Sequence, residues 1–275
     1  VRDKVIALTY GVICHLAFGV AIVLMAYDVY FGFTRSLWPI GGDHGRLWNT
    51  LLVCQFPLIH SLLLSKRGRR ILGWCAPGKL GEQLSTTTFA VVSSLQLVAV
   101  FLLWTPSETV WFAPTGALKM IMSIFFIGAW VLLVKAISDA SIALHTGFLG
   151  WSSVFRGRAP RFDAPAERGS YRYLRQPIYL AFALILFTGP VWSPDHLFFF
   201  LVWGGYCVLG PRLKERRLSA WYGEEYRRYQ RAVPYMIPRF RGLFRRFAGC
   251  PIVDETAPAG KQVSKEQGGD GQLLE

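Results

Sequence analysis

Apolar residues in this chain come in blocks, not in alternation or in amphipathic stripes, and that arrangement most restricts what it can fold into. The runs are Val5–Tyr27, Leu47–Leu64, Thr86–Trp104, Ala117–Ile137, Tyr179–Pro190 and His196–Gly210. A helix rises about 1.5 Å per residue, so about 20 apolar residues cross a hydrocarbon core of about 30 Å. The first four runs are roughly that long. The last two are shorter and are joined by Gly189–Asp195, a segment rich in helix breakers, so they read as a tight helical hairpin. One such run could be a buried core helix. Six in succession predict an all-α, polytopic membrane protein with about six transmembrane helices. Composition agrees, with 52 % of the 275 residues hydrophobic and 17 % charged, against about a quarter charged in soluble domains.

The charges orient these spans. Lys66, Arg67, Arg69, Arg70 and Lys79 follow the second run, Arg156 to Arg175 hold six arginines after the fourth, and Arg212, Lys214, Arg216 and Arg217 open a basic stretch after the sixth. The opposite loops carry only Arg35 and Arg46, with no Lys or Arg in Thr105–Gly116 or Gly189–Asp195. Cytoplasmic loops collect Lys and Arg, so the expectation is a multi-pass plasma (inner) membrane protein with both termini cytoplasmic. The net charge of +13 then reflects topology, and no nucleic-acid partner is expected. The first run is read as a span, not a cleaved leader. Five scattered cysteines, with no C-x-x-C, indicate neither a disulfide framework nor a metal site. Residues 249–275, rich in Gly, Lys, Glu and Gln, read as a disordered tail, leaving a four-helix region over 1–137 and a functional region over 138–248.

His15, Gln55, His60 and Gln96 fall at membrane depth in the first region. Polar groups there face a bundle interior or a cavity, because an unpaired one in lipid is costly. Two readings stay open: hydrogen bonding between helices, or a substrate path lined by Gln55 and His60 beside the kink expected at Pro57.

The second region holds the chemical signals. Gly169–Leu180 reads G-S-Y-R-Y-L-R-Q-P-I-Y-L, in which Pro177 suits the first turn of a helix. The free N–H groups of that turn, flanked by Arg175, make an anion site, unless Tyr and Arg there are simple membrane-edge anchors. Further on, Leu218, Trp221, Tyr222, Tyr226, Tyr229 and Val233 recur at helical spacing, predicting an amphipathic helix that continues from the last span. It could lie on anionic lipid, but Glu215, Glu224 and Glu225 are unusual in so basic a setting.

Arg175-Gln176-Pro177-Ile178-Tyr179, then a helical hairpin, then Glu215 and the run Trp221–Pro234 (W-Y-G-E-E-Y-R-R-Y-Q-R-A-V-P) together resemble the isoprenylcysteine carboxyl methyltransferase superfamily of membrane enzymes, with its R-H-P-x-Y element and its G-E-E-Y-x-x-Y-x-x-x-V-P ending. More loosely, Ile59-His60-Ser61, Ser85-Thr86 and the connector from His145 to Pro160 are similar to the bacterial branch of methanethiol S-methyltransferases and NnrU-like proteins. The resemblance implies S-adenosyl-L-methionine as cofactor, enclosed between the hairpin and the C-terminal helix. It points to His145, Arg175, Gln176, Pro177, Tyr179, Leu180, Glu215, Glu224 and Tyr226 for cofactor binding, and to Glu215 and Arg231 as catalytic candidates. Glu215, Glu224 and Arg231 are expected to wall the pocket with Arg175 opposite. Two departures stand out: Gln176 replaces the family His, and Lys214 precedes Glu215 where related sequences have a second acid. The implied activity is methyl transfer to a small or lipophilic thiol or to a prenylcysteine-type carboxylate. The alternative is a non-catalytic, NnrU-like accessory protein of the same fold.

Overall fold

A computed structural model describes residues 1–40, 42–76, 78–161 and 168–238. Pro165 and the tail from 249 to 275 lie outside the described residues. Those described are helical, with one isolated antiparallel bridge between Phe112 and Trp192. The long helices are α1 (Arg2–Tyr30), α2 (Gly45–Leu63), α5 (Ser85–Leu102), α6 (Gly116–Ala140), α9 (Pro177–Thr188) and α10 (Pro194–Ala232), and each starts or ends within a few residues of an apolar run. Short helices α3 (Lys66–Trp74), α4 (Lys79–Gln83), α7 (Ile142–His145) and α8 (Phe148–Phe155) fill the basic connectors.

Four of these helices are long and apolar enough to cross a membrane, namely α1, α5, α6 and α10. A fifth span counts if α2 and α3, bent by 90° at their junction, form one. The remaining expected crossing is α9, whose 12 residues reach about 18 Å at 1.5 Å each. The short run seen in the sequence is thus a short helix in space, packed between longer ones.

Packing divides the molecule into two groups. Helix α1 lies against α5 and α8, and α2 joins α5; on the other side α6 packs on α9 and α9 on α10. Contact between α2 and α10 links the groups. Their shared core lies toward the turn that joins α9 to α10, where Phe33, Phe101, Trp104 and Phe199 are buried together. Lipid-facing sides stay apolar, as Leu16, Val23, Ile124, Phe125 and Val131 show by their exposure. In water such a surface would be costly; in hydrocarbon it is the expected one.

Several polar groups at membrane depth are paired across helices. Gln55 on α2 and Gln96 on α5 bond twice, Gln55 Nε2 donating to the main-chain carbonyl of Gln96 at 3.1 Å and Gln96 Nε2 donating to Gln55 Oε1 at 2.7 Å. Trp151 Nε1 donates to His15 Nε2 at 3.1 Å, tying α8 to α1. Gly147, at φ +73°, lets the chain pass so close to α1 and α5 that an added Cβ would sit 2.6 Å from Ala90 Cβ and 2.8 Å from Cys14 Sγ.

The amphipathic C-terminal helix differs from expectation. It does not run on from the last span as one rod. At Gly223 (φ 55°, ψ −126°) the chain leaves helical geometry and folds back. Gln230 Nε2 then donates to Glu215 Oε2 at 3.0 Å, whereas fifteen residues of straight helix would separate the two by about 22 Å. Leu218, Tyr226, Tyr229 and Val233 close on one another inside this hairpin. The helical spacing of those aromatics is correct on each arm, but only the break at Gly223 makes the two arms face each other.

Candidate functional site

Arg175 sits where the turn before α9 meets the C-terminal hairpin. Its Nε donates to Glu215 Oε1 at 2.8 Å, Nη2 to Glu215 Oε2 at 3.3 Å, and Nη1 to the carbonyls of Gln230 and Val233. Four of its five N–H donors are therefore used inside the protein. The main chain adds two bonds, from Arg175 N to the Pro234 carbonyl at 2.9 Å and from Gln176 N to the Tyr235 carbonyl at 3.1 Å. The Tyr229 hydroxyl donates to the Tyr171 carbonyl at 2.8 Å. Glu215 is the hub. It is 7 % exposed and accepts from Arg175, Gln176 and Gln230. A buried ion pair is tolerated when further hydrogen bonds satisfy its lone pairs, and this one has them. Burial, then the Glu215 charge beside it, pushes the Tyr235 hydroxyl up from its ordinary range.

Gln176 carries this network to a cavity. Its amide N donates to Glu215 Oε1 at 2.9 Å and the residue is 3 % exposed. It also lines a chamber of about 310 Å³ between the two helix groups. Phe56, Phe89, Phe182, Trp203 and Tyr206 give that chamber an aromatic wall; His60, Ser93, His145, Tyr171 and Tyr179 give it polar groups; Arg69 and Lys214 give it cations. His60 lies between the rings of Phe56 and Phe89, 4.9 and 4.8 Å between centroids, with Nδ1 3.2 Å from Ser93 Oγ. His145 Nδ1 is 2.8 Å from the Ser141 carbonyl, which puts the N–H on that nitrogen in the neutral ring. Two buried polar atoms on residues of the wall, Thr86 Oγ1 and Arg69 Nη1, have no hydrogen-bond partner among the described residues. Burial, then the charge of Asp139, pushes the Tyr171 hydroxyl up.

The residues singled out in the sequence separate into three sets. His145, Gln176 and Tyr179 line the cavity. Arg175, Glu215 and Tyr226 lie behind it, where Tyr226 belongs to the hairpin core, Pro177 starts α9, and Leu180 N closes the first turn on the Gln176 carbonyl at 3.1 Å. Glu224 and Arg231 are elsewhere. They pair with each other on the outside of the hairpin, their side chains 63 % and 65 % exposed. The structure therefore does not unite Glu215, Glu224 and Arg231 on one wall, because the break at Gly223 turns the last two outward. Of the two readings of the membrane-depth polar residues, Gln55 takes the interhelical one and His60 joins the cavity.

Sequence reasoning missed Phe56, Phe89, Arg69 and Thr86 as cavity residues. In the sequence Arg69 counts only as a topology charge, and Phe56 and Phe89 carry no signal beyond lying within apolar runs. The visible signals were the polar His60 near Pro57 and the Ser85–Thr88 run of hydroxyls at the start of α5. Chemically, the chamber suits an amphiphilic ligand with an aromatic part and a charged end. Among the described residues no cluster of His, Cys, Asp or Glu could hold a metal ion.

No family model matches the chain, and no solved structure matches it. Curated relatives do, over most of its length. Methanethiol S-methyltransferase 1 of Bradyrhizobium diazoefficiens is 28 % identical over 87 % of this chain and 85 % of its own. The methanethiol S-methyltransferase of a Pseudomonas species is 26 % identical over 86 % and 91 %, and that of Crocosphaera subtropica 26 % over 86 % and 93 %. Over most of its length this membrane protein is thus a relative of the methanethiol S-methyltransferases, consistent with the isoprenylcysteine carboxyl methyltransferase-like branch that its C-terminal motifs resemble.

Proposed function

We propose that the chain is a plasma-membrane methyltransferase that uses S-adenosyl-L-methionine to methylate a small thiol, methanethiol being the acceptor in its relatives' names. One observation carries this reading: Gln176 and Tyr179 of the family-like motif open onto the same chamber as the aromatic residues of α2, α5 and α10. The orphaned Thr86 and Arg69 atoms fit a polar, partly anionic ligand seated there. When bound, the cofactor would supply a sulfonium methyl group for in-line transfer to a thiolate sulfur, with S-adenosyl-L-homocysteine as the leaving group.

The protein's part is positioning and exclusion of water. Phe56, Phe89 and Trp203 line the chamber and give the sulfonium an aromatic surrounding of the kind that attracts a cation. Gln176, held by Glu215, offers a neutral amide to the polar half of the ligand, a task that does not need the family His. His60 and His145 are the imidazoles on the wall able to accept the thiol's proton. At 310 Å³ the chamber lies at the low end of the ligand-pocket range of about 300–1,000 Å³. That favours a small acceptor over a prenyl chain.

Purified protein in detergent, given methanethiol and cofactor with a trideuterated methyl group, is expected to release trideuterated dimethyl sulfide, read by mass spectrometry. Cofactor binding without any methylated thiol would refute the acceptor class; no binding at all would refute the enzyme reading. We further propose that both termini are cytoplasmic, on the Lys/Arg asymmetry of the loops. Reporters in the 105–116 loop and after residue 238 should then report opposite sides, and agreement between them would sink that topology.

A further inference from the structure

Most basic residues after α2 point away from the bundle. Arg70 is exposed, as expected for a charge at a membrane surface. Arg69 is not. The bend between α2 and α3 turns α3 across the end of the chamber, and both Arg69 and Leu72 line it, as residues three apart on one helix face do. The bend is fixed by Ser65, whose Oγ accepts from Gly68 N at 3.1 Å and caps α3. The Arg69 guanidinium lies 5.9 Å from the Trp221 ring on α10, so it bridges α3 to the C-terminal hairpin. Its Nη1 is buried without a partner, and among the described residues no carboxylate pairs with it. Lys214 lines the same chamber, seven residues before Trp221 and so about two helical turns from it.

A buried, charged donor with no acceptor is costly unless a ligand supplies one. The unmet demand at this end of the chamber is for an anion, and the aromatic wall takes up the rest of the space. We propose that Arg69, supported by Lys214, binds the carboxylate of the cofactor's methionyl group. This rests on the cofactor reading above. It orients the ligand, with the carboxylate at the α3 end and the sulfonium toward Phe56, Phe89 and His60. The guanidinium fork matches a carboxylate with two parallel N–H···O bonds. A phosphate from a lipid headgroup offers the same oxygen chemistry, and the test has to tell the two apart.

The test compares binding of S-adenosyl-L-methionine with that of its decarboxylated form, by titration calorimetry on protein in phospholipid-free detergent. Wild type should prefer the carboxylated form by about ten- to a hundred-fold, the usual worth of a charged hydrogen-bonded contact. Arg69→Gln should bring the ratio close to one by weakening the carboxylated form alone, Arg69→Lys should keep part of it, and Arg70→Gln should leave it unchanged. A preference that survives Arg69→Gln, or equal weakening of both ligands, overturns the assignment while leaving the cofactor reading intact. So does a variant that loses only the binding of a short-chain phosphatidylglycerol, since the guanidinium would then serve a headgroup. Should wild type bind neither form, the cofactor reading itself falls. If Arg69→Gln does not fold, the Arg69→Lys ratio decides, and an unchanged ratio with weaker binding of both forms counts against the proposal.

Discussion

Two arginine–glutamate pairs formed by α10 and the turn before α9 share a chemistry and differ in nearly everything else. Arg175 and Glu215 meet with side chains 14 % and 10 % exposed, inside a network that also takes in Gln176 and Gln230. Arg231 and Glu224 meet on the outer surface of the hairpin, 65 % and 63 % exposed, with Arg227 alongside at 3.5 Å. The first pair joins separate parts of the chain and stands behind the cavity. The second is a surface pair between residues seven apart. Equal resemblance to a family motif therefore does not mean an equal role. What separates the pairs is desolvation: a half-exposed ion pair is screened by water and contributes little, whereas a buried one makes each partner depend on the other.

The largest expected effect tests that dependence. Glu215→Ala leaves a guanidinium and two amides without their acceptor, and removing one partner of a buried pair typically costs about 3–5 kcal/mol. The hairpin should loosen, seen as faster tryptic cleavage at Arg227, Arg228 and Arg231 and as a lower unfolding temperature in detergent. Replacing both members, Arg175→Met with Glu215→Leu, should cost less than the single change. If it costs more, the pair is not a mutually dependent buried unit.

An intermediate effect is expected at the break that separates the two pairs. Gly223 has φ 55° and ψ −126° with open space where a Cβ would lie. Gly223→Ala therefore meets only backbone strain, typically about 1–3 kcal/mol. The variant should either lose stability by that amount or straighten toward a continuous helix, which would separate Gln230 from Glu215. A distance measurement between spin labels at Ser219 and Arg228 would show which. No change in either stability or distance would mean that Gly223 is not the hinge.

The smallest effect is expected at the surface pair. Glu224→Ala and Arg231→Ala should each alter stability by less than about 1 kcal/mol and leave cofactor affinity unchanged. A tenfold loss of binding in either variant would restore the pocket-wall role that the motif suggested and that the fold-back removes.

Much of this protein was legible in its order of residues. Blocks of apolar sequence determine helices in a bilayer because hydrocarbon leaves the backbone no other partners. The Pro177 start of α9, the breaker-rich turn before Pro194 and the motif residues Gln176 and Glu215 could likewise be named without coordinates. Local rules act over a few residues, and these features are local. Which runs cross fully was not legible, since the length of α9 and the bend between α2 and α3 depend on packing. The cavity was not legible either. Its wall combines residues from Phe18 on α1 to Lys214 on α10, and nothing in periodicity says that Phe56, Arg69 and Gln176 share one space. The fold-back at Gly223 made the final choice, sending Glu215 inward and Glu224 and Arg231 outward. The φ and ψ of one residue decide that outcome, and the values open to glycine include both the straight helix and the turn. Only the burial of Leu218 against Tyr226, Tyr229 and Val233, with the satisfaction of Arg175 and Glu215, selects the turn.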